Sequence, residues 1–182
     1  MADEVIHGPL SFRLLTDADL PLLHRWLNEP GVVRFWEGDD VSWDGVVREY
    51  GSANDDPGEH WLAMIDGQPV GWMQCYAWAD YPEEAEPYWS LGAERDAAGI
   101  DYLVGEVSDR GRGLGSAMIR AFVRDIVFAR HPEWTQVATA ANRDNVASWR
   151  ALENAGFGFI GTFDDEHGTF RAMSIDRTLP GS

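Results

Sequence analysis

Apolar positions along the 182-residue chain alternate in some segments and recur at helical spacing in others, and the two rhythms follow a definite order. Leu10, Phe12 and Leu14 alternate with their neighbours and predict a strand over residues 10–15. Leu20, Leu23, Trp26 and Leu27 then mark one face of a helix, with Thr16 or Asp17 as its cap and Pro30-Gly31 as its stop. Residues 32–36 lead into an acidic turn at 37–40, a second short helix is expected at 43–50, and 51–59 is a polar loop. Strands at 61–65 and 70–78 flank Asp66-Gly67, a hairpin signal. Residues 80–87 are acidic and carry prolines, which predicts a loop. A strand follows from Ile100 to Val107, and the glycine-rich turn 110–115 breaks it. From Ser116 a helix runs on through Ile119, Phe122, Val123 and Ile126 until Pro132. A strand at 135–140, a helix within 142–157 and a hairpin of 157–163 and 169–175 across Glu166-His167-Gly168 complete the pattern. Residues 1–8 read as a loose terminus, and no repeat, linker or low-complexity stretch interrupts what is expected to be one domain, residues 1–182.

Composition narrows the class. Hydrophobic residues make up 45% of the chain, enough for a sizeable core. No apolar run approaches a bilayer span and no secretory leader opens the chain, so a cytoplasmic protein with no membrane partner is expected. Cys75 is the single cysteine, which excludes an internal disulfide and is expected as a buried structural thiol. The 31 acidic against 14 basic residues give a net charge of −17. That field repels nucleic acid and attracts cations. No metal site is expected.

The turn that opens the 116–132 helix carries the chemistry. Gly111, Gly113 and Gly115 let the backbone approach a ligand closely, and the first N–H groups of a helix have no partners within it, so the turn is an anion site. The spacing fits neither a P-loop nor a dinucleotide-binding Gly-x-Gly-x-x-Gly. Arg110-x-x-Gly113-x-Gly115, between strand and helix, resembles the acetyl-CoA pyrophosphate loop of the GNAT superfamily of N-acetyltransferases. A second block, NRDNVASWRALENAGF at 142–157, resembles the asparagine-bearing helix that follows the fifth strand in that superfamily. The resemblance implies an α/β (α+β) single-domain acetyltransferase fold. Its central sheet of about seven strands would be mixed but mostly antiparallel and flanked by helices, with a splayed strand pair forming the acetyl-CoA slot. It implies acetyl-CoA as co-substrate, held by Leu103, Val104, Arg110, Gly111, Arg112, Gly113, Leu114, Gly115, Ser116, Asn142 and Asn145.

Within the superfamily, Trp26-Leu27-Asn28, Phe35-Trp36-Glu37-Gly38, Gly67-Gln68-Pro69-Val70-Gly71, Gln74-Cys75-Tyr76 and Gly99-Ile100-Asp101 resemble the aminoglycoside 6'-N-acetyltransferases. Acyl transfer to an amine needs the amine uncharged, so a carboxylate must bind the ammonium and take its proton. Asp101, at the entry to the cofactor strand, holds the place of the family's proposed general base. Trp36, Gln74, Tyr76, Glu94 and Asp101 are the expected acceptor-binding residues, with the 83–86 carboxylates beside them. Leu152 stands where the family has a proton-donating tyrosine, and leucine cannot donate. Tyr102 and Tyr76 are the substitute donors. Ala140 replaces a second acidic position of the family. The resemblance thus implies an aminoglycoside acceptor and direct transfer in a ternary complex, by a monomer or a dimer. The alternatives are a siderophore hydroxylysine, polyamine or protein N-terminal acceptor, and a non-catalytic acyl-CoA-binding module.

Overall fold

A hairpin sets the register of the sheet. Asp66 and Gly67 both take positive φ, 50° and 76°, the pair of left-handed residues that a two-residue turn matching strand twist requires. They join β2 (Glu59–Ile65) to β3 (Gln68–Ala77), and β1 (Leu10–Leu14) pairs antiparallel along the outer edge of β2. The computed structural model describes residues 9–36 and 38–178; the terminus at 1–8 and Glu37 of the acidic turn lie outside the described residues.

The sheet has seven strands, the number expected, in the order β1-β2-β3-β4-β5-β7-β6. Beyond β3 come β4 (Ala98–Val104), β5 (Gln136–Asn142), β6 (Gly158–Asp165) and β7 (Gly168–Asp176). All neighbours run antiparallel except β4 and β5, which are parallel and pair only at Ala98↔Val137. Past that point the two strands part, and the Thr139 hydroxyl donating to the Ile100 carbonyl at 2.9 Å is a last tie between them. The result is a slot through the middle of the sheet.

Alternation distributes the core over both faces. Met73, Cys75, Ile100, Val137 and Ala141 face α5 (Leu114–Phe122) and α7 (Val146–Asn154), which bury Leu114, Met118, Ile119, Phe122 and Leu152 against them. Leu62, Met64, Trp72 and Leu103 face the other way, under α1 (Leu20–Leu27) and α3 (Trp43–Tyr50). On that same face, near β5 and β7, α4 (Pro82–Ser90) packs Ala85 and Tyr88 over Trp78, Ala138 and Ala172. The ground between the α1–α3 unit and α4 is uncovered.

Four segments differ from expectation. Residues 82–90 form α4 rather than a loop: Pro82 sits in the first turn, where its missing N–H costs nothing, and Glu83 and Glu84 suit the helix N-terminus. The cofactor strand stops at Val104 instead of Val107. Gly105 lies against the Trp26 indole, where an added Cβ would come within 2.3 Å, and Val107 is exposed in a 3₁₀ turn. Ahead of the acidic turn, Pro30 and Gly31 begin a one-turn helix, α2 (Pro30–Val33), rather than only ending α1. The long helix after the glycine turn is also not uniform: a π-helical turn, Val123–Val127, separates α5 from α6 (Phe128–Arg130). Cys75 is fully buried, as expected.

Candidate active site

The slot and the uncovered ground join into one cleft of about 870 Å³. Its two halves have opposite chemistry. One half is the splayed strand pair and the glycine turn. Gly111 and Gly113 both adopt left-handed backbone, with φ of 72° and 79°, and Gly113 is the N-cap of α5. That conformation turns the N–H groups at the start of α5 outward, where an anion can meet them. Gly111, Gly113, Gly115 and Ser116 line the cleft. Leu114 does not line the cleft, and its side chain is buried in the core.

Arg110 lines the cleft but is already engaged. Its guanidinium donates to the carbonyls of Val104 at 3.3 Å and Gly105 at 3.2 Å, pinning the turn to the end of β4. Arg112 is exposed and does not line the cleft. On β4, the Ile100 carbonyl faces β5, so by strand alternation the main-chain groups of Tyr102 and Val104 face the slot and those of Leu103 face β3. Tyr102, not Leu103, therefore joins Val104 in offering slot-side backbone. At the far wall Asn142 donates to the His167 carbonyl at 3.4 Å and accepts from the Asp144 N–H at 2.9 Å. Asn145 caps α7 by accepting from the Ser148 N–H at 3.3 Å. Both asparagines line the cleft while shaping it.

The other half is acidic and aromatic. Asp39, Glu49, Asp56, Glu84, Asp101 and Asp165 line it, against Arg110 and Arg150 as the cations of the whole cleft lining. Trp36, Tyr50, Trp72, Tyr76, Trp78, Tyr81 and Tyr88 form its walls. The Trp36 indole donates to the Tyr50 hydroxyl at 3.3 Å, and both rings pack edge-on to Trp72. The Tyr81 hydroxyl donates to Asp56.

Asp101 sits where the two halves meet. It pairs with Gln74 across β4 and β3, and both side chains line the cleft. Tyr76, two pairs further along, lies opposite Gly99. A Cβ on residue 99 would come within 2.3 Å of the Tyr76 ring, so the glycine makes room for that ring to cross β4 and reach Asp101. Burial pushes the Asp101 carboxyl up to about 6; the Tyr76 hydroxyl pulls it down by hydrogen bonding, and Asp39 pushes it further up. Burial likewise raises Asp39 and Glu49, and Glu49 is raised further by Asp39 and Asp56. These carboxylates crowd one another without enough cations to neutralise them, so the cleft favours a ligand with several positive charges.

A hydroxyl pair stands on the slot side. Tyr102 and Ser148 share a hydrogen bond of 2.8 Å between β4 and α7, and both line the cleft. Burial holds the Tyr102 phenol well above its ordinary range, hence protonated. Leu152, one turn further along α7, is fully buried.

Residues 16–165 match the family model of the acetyltransferase (GNAT) domain. The chain belongs to the GNAT acetyltransferases. Among members of the family, it is 30% identical over 157 residues to an aminoglycoside N(6')-acetyltransferase type 1 of Klebsiella pneumoniae, covering 84% of this chain and 76% of that protein. It is 28% identical over 179 residues to the N(6)-hydroxylysine O-acetyltransferase of Escherichia coli, covering 96% of this chain but 54% of that one. The structure of AAC(6')-Ib in complex with paromomycin and acetyl-CoA superposes with a TM-score of 0.80 at 29% identity, covering 93% of this chain and 94% of the other. In this GNAT chain the splayed β4–β5 pair and the glycine turn both fall within the residues matched to the family.

Of the acceptor residues expected from sequence, Trp36, Gln74, Tyr76 and Asp101 come together in the cleft. Glu94 does not. It is exposed in the turn between α4 and β4, where its N–H is tied to the Gln136 side chain at 2.9 Å, at the base of the sheet. Asp56 and Asp165 were missed because their segments read as polar loop and hairpin; Glu49 was missed because it falls within a short amphipathic helix.

Proposed function

We propose that this GNAT enzyme transfers the acetyl group of acetyl-CoA to the 6'-amine of an aminoglycoside. The observation that carries the reading is Asp101: a carboxylate raised to about 6, at the junction of an acyl-CoA slot and a polyanionic, aromatic-walled cleft. The pyrophosphate would lie on the N–H groups at the start of α5, with the pantetheine arm along the β4 edge at Tyr102 and Val104. The polycationic sugar would lie among Asp39, Glu49, Asp56, Glu84 and Asp165, its rings against Trp36 and Tyr76.

In the ternary complex Asp101 binds the acceptor ammonium and takes its proton. The amine attacks the thioester carbonyl, the new C–N bond forms, the C–S bond breaks with CoA leaving as thiolate, and the second N–H proton of the adduct passes to that sulfur, so the products are a neutral amide and CoA thiol. A carboxylate with a pKa of about 6 is deprotonated at neutral pH yet basic enough to hold the proton in passing. The Tyr102 hydroxyl, backed by Ser148, donates to the departing sulfur. Tyr102→Phe is therefore expected to lower kcat about 10–100-fold, the worth of one hydrogen bond to a developing charge, with KM for the acceptor little changed. Equal losses in kcat and acetyl-CoA affinity would instead make Tyr102 a wall of the slot.

The test of the reading is initial rates of CoA release over aminoglycosides, linear polyamines and hydroxylysine. Aminoglycosides should give the highest kcat/KM, and that value should fall as salt rises, because the acidic cleft steers a polycation. The similarity to a hydroxylysine O-acetyltransferase supports a second reading. A neutral hydroxylamine oxygen acceptor would gain little from the six carboxylates, and a preference for it, independent of salt, would replace the first reading.

A further inference from the structure

On the sheet face opposite the acidic half of the cleft, three ligand-bearing side chains from distant parts of the chain converge. We infer that Glu59, Cys75 and His131 form a site for a zinc-class divalent cation. Glu59 and Cys75 are register partners across β2 and β3. His131 directly follows α6, past the π-helical turn, a helix irregularity that recurs at functional sites. One donor atom from each of the three lies within 4.8 Å of the others.

The geometry between two of them is that of co-ligands. His131 Nε2 lies 2.8 Å from Glu59 Oε1, yet Nε2 is buried and has no hydrogen-bond partner. A ring nitrogen and a carboxylate oxygen held this close with no hydrogen bond joining them are placed to share a cation. The outer partners fit as well. A metal-bound histidine commonly gives its other ring N–H to a carboxylate, and His131 Nδ1 lies 3.3 Å from Glu133 Oε1, with the ring stacked on Trp134. The second oxygen of Glu59 accepts from the Trp61 indole at 3.1 Å, which fixes the carboxylate. Arg130 is turned over the Trp61 ring at 5.2 Å.

A thiolate, an imidazole and a carboxylate make up a zinc donor set, and three protein ligands leave a fourth position for water. Cys75 would bind as thiolate and release its proton. Glu59 and Cys75 would then neutralise the cation in a place that is half-closed to solvent. Because Cys75 lies between Gln74 and Tyr76, the cation would pin β3 from behind the floor of the acceptor cleft.

The inference is independent of the acceptor and is tested without turnover. The chelator-treated full chain is titrated with Co²⁺. The expected result is a thiolate-to-cobalt charge-transfer band in the near ultraviolet that saturates at one equivalent and is displaced by Zn²⁺. Zn²⁺ should also raise Tm of the parent chain, and that rise should be lost in Glu59→Gln and His131→Asn. Cys75→Ser alters the core, so the partly exposed His131 carries the test. No band and no Zn²⁺-dependent shift of Tm in the parent would overturn the site, as would a band that persists unchanged in His131→Asn.

Discussion

Asp101→Asn is expected to lower kcat/KM for an aminoglycoside by about 10²–10⁴-fold, the usual loss on removing a general base, while acetyl-CoA binds as before. Asparagine keeps the shape and still accepts from Tyr76, but it neither neutralises an ammonium nor takes its proton. The parent rate should fall as pH drops through about 6, where Asp101 protonates; in the variant, where only the free amine reacts, the inflection near 6 should be lost and the rise towards alkaline pH should steepen. Stability should move the other way. Folding raises the Asp101 pKa from 3.8, so the folded chain binds the proton more tightly than the unfolded chain. Stability on account of this group is therefore highest below pH 3.8 and falls as pH rises through the window from 3.8 to about 6. At neutral pH Asp101→Asn removes that buried charge and should raise stability by roughly 1–3 kcal/mol, which denaturant unfolding at pH 7 and pH 4 reads directly. A variant that loses activity and stability together would show Asp101 to be a structural residue.

Gly113→Asp is expected to weaken acetyl-CoA binding by about 100-fold or more in calorimetry, equivalent to ~2.7 kcal/mol. The residue has φ of 79°, and an added Cβ meets nothing within 4 Å, so the change does not crowd the fold. Two effects act on binding instead. A non-glycine residue resists the left-handed backbone that aims the α5 N–H groups at the ligand, and the new carboxylate stands where the pyrophosphate would. Gly113→Ala carries the first effect without the second and should fall between parent and Gly113→Asp. Unchanged affinity in a folded Gly113→Asp would place the pyrophosphate elsewhere.

What could be read from the sequence was what is written locally. The β2–β3 hairpin is announced by Asp66-Gly67, and the glycine turn by three alternating glycines between an apolar strand and an amphipathic helix. Both stand where expected. The α4 helix was hidden because Pro82 and Pro87 read as breakers, although a proline in the first turn starts a helix as readily as it ends one. The end of β4 was misplaced because Val107 continues the apolar pattern, while the event that stops the strand, Trp26 packing on Gly105, lies 79 positions away in sequence. Composition gave the acidity of the cleft as a sum but not its location: Asp39, Glu49, Asp56, Glu84 and Asp165 arrive from separate loops, helices and the end of β6. The Tyr102–Ser148 pair was half legible. Tyr102 was a named substitute for the hydroxyl missing at Leu152, but only the fold shows that α7 supplies its hydrogen-bond partner. The reason for Gly99 was likewise invisible until the Tyr76 ring was seen crossing it.

The central claim is that a sugar amine is acetylated at a defined nitrogen. It is tested most directly by incubating the enzyme with acetyl-CoA labelled with ¹³C in the acetyl group and an aminoglycoside carrying several amines, such as kanamycin, and locating the label by NMR. The label is predicted on the 6'-nitrogen as a single amide product, with one CoA released per acetyl transferred. A label on a hydroxyl oxygen, a mixture over the other amines, or no transfer to any aminoglycoside would contradict it.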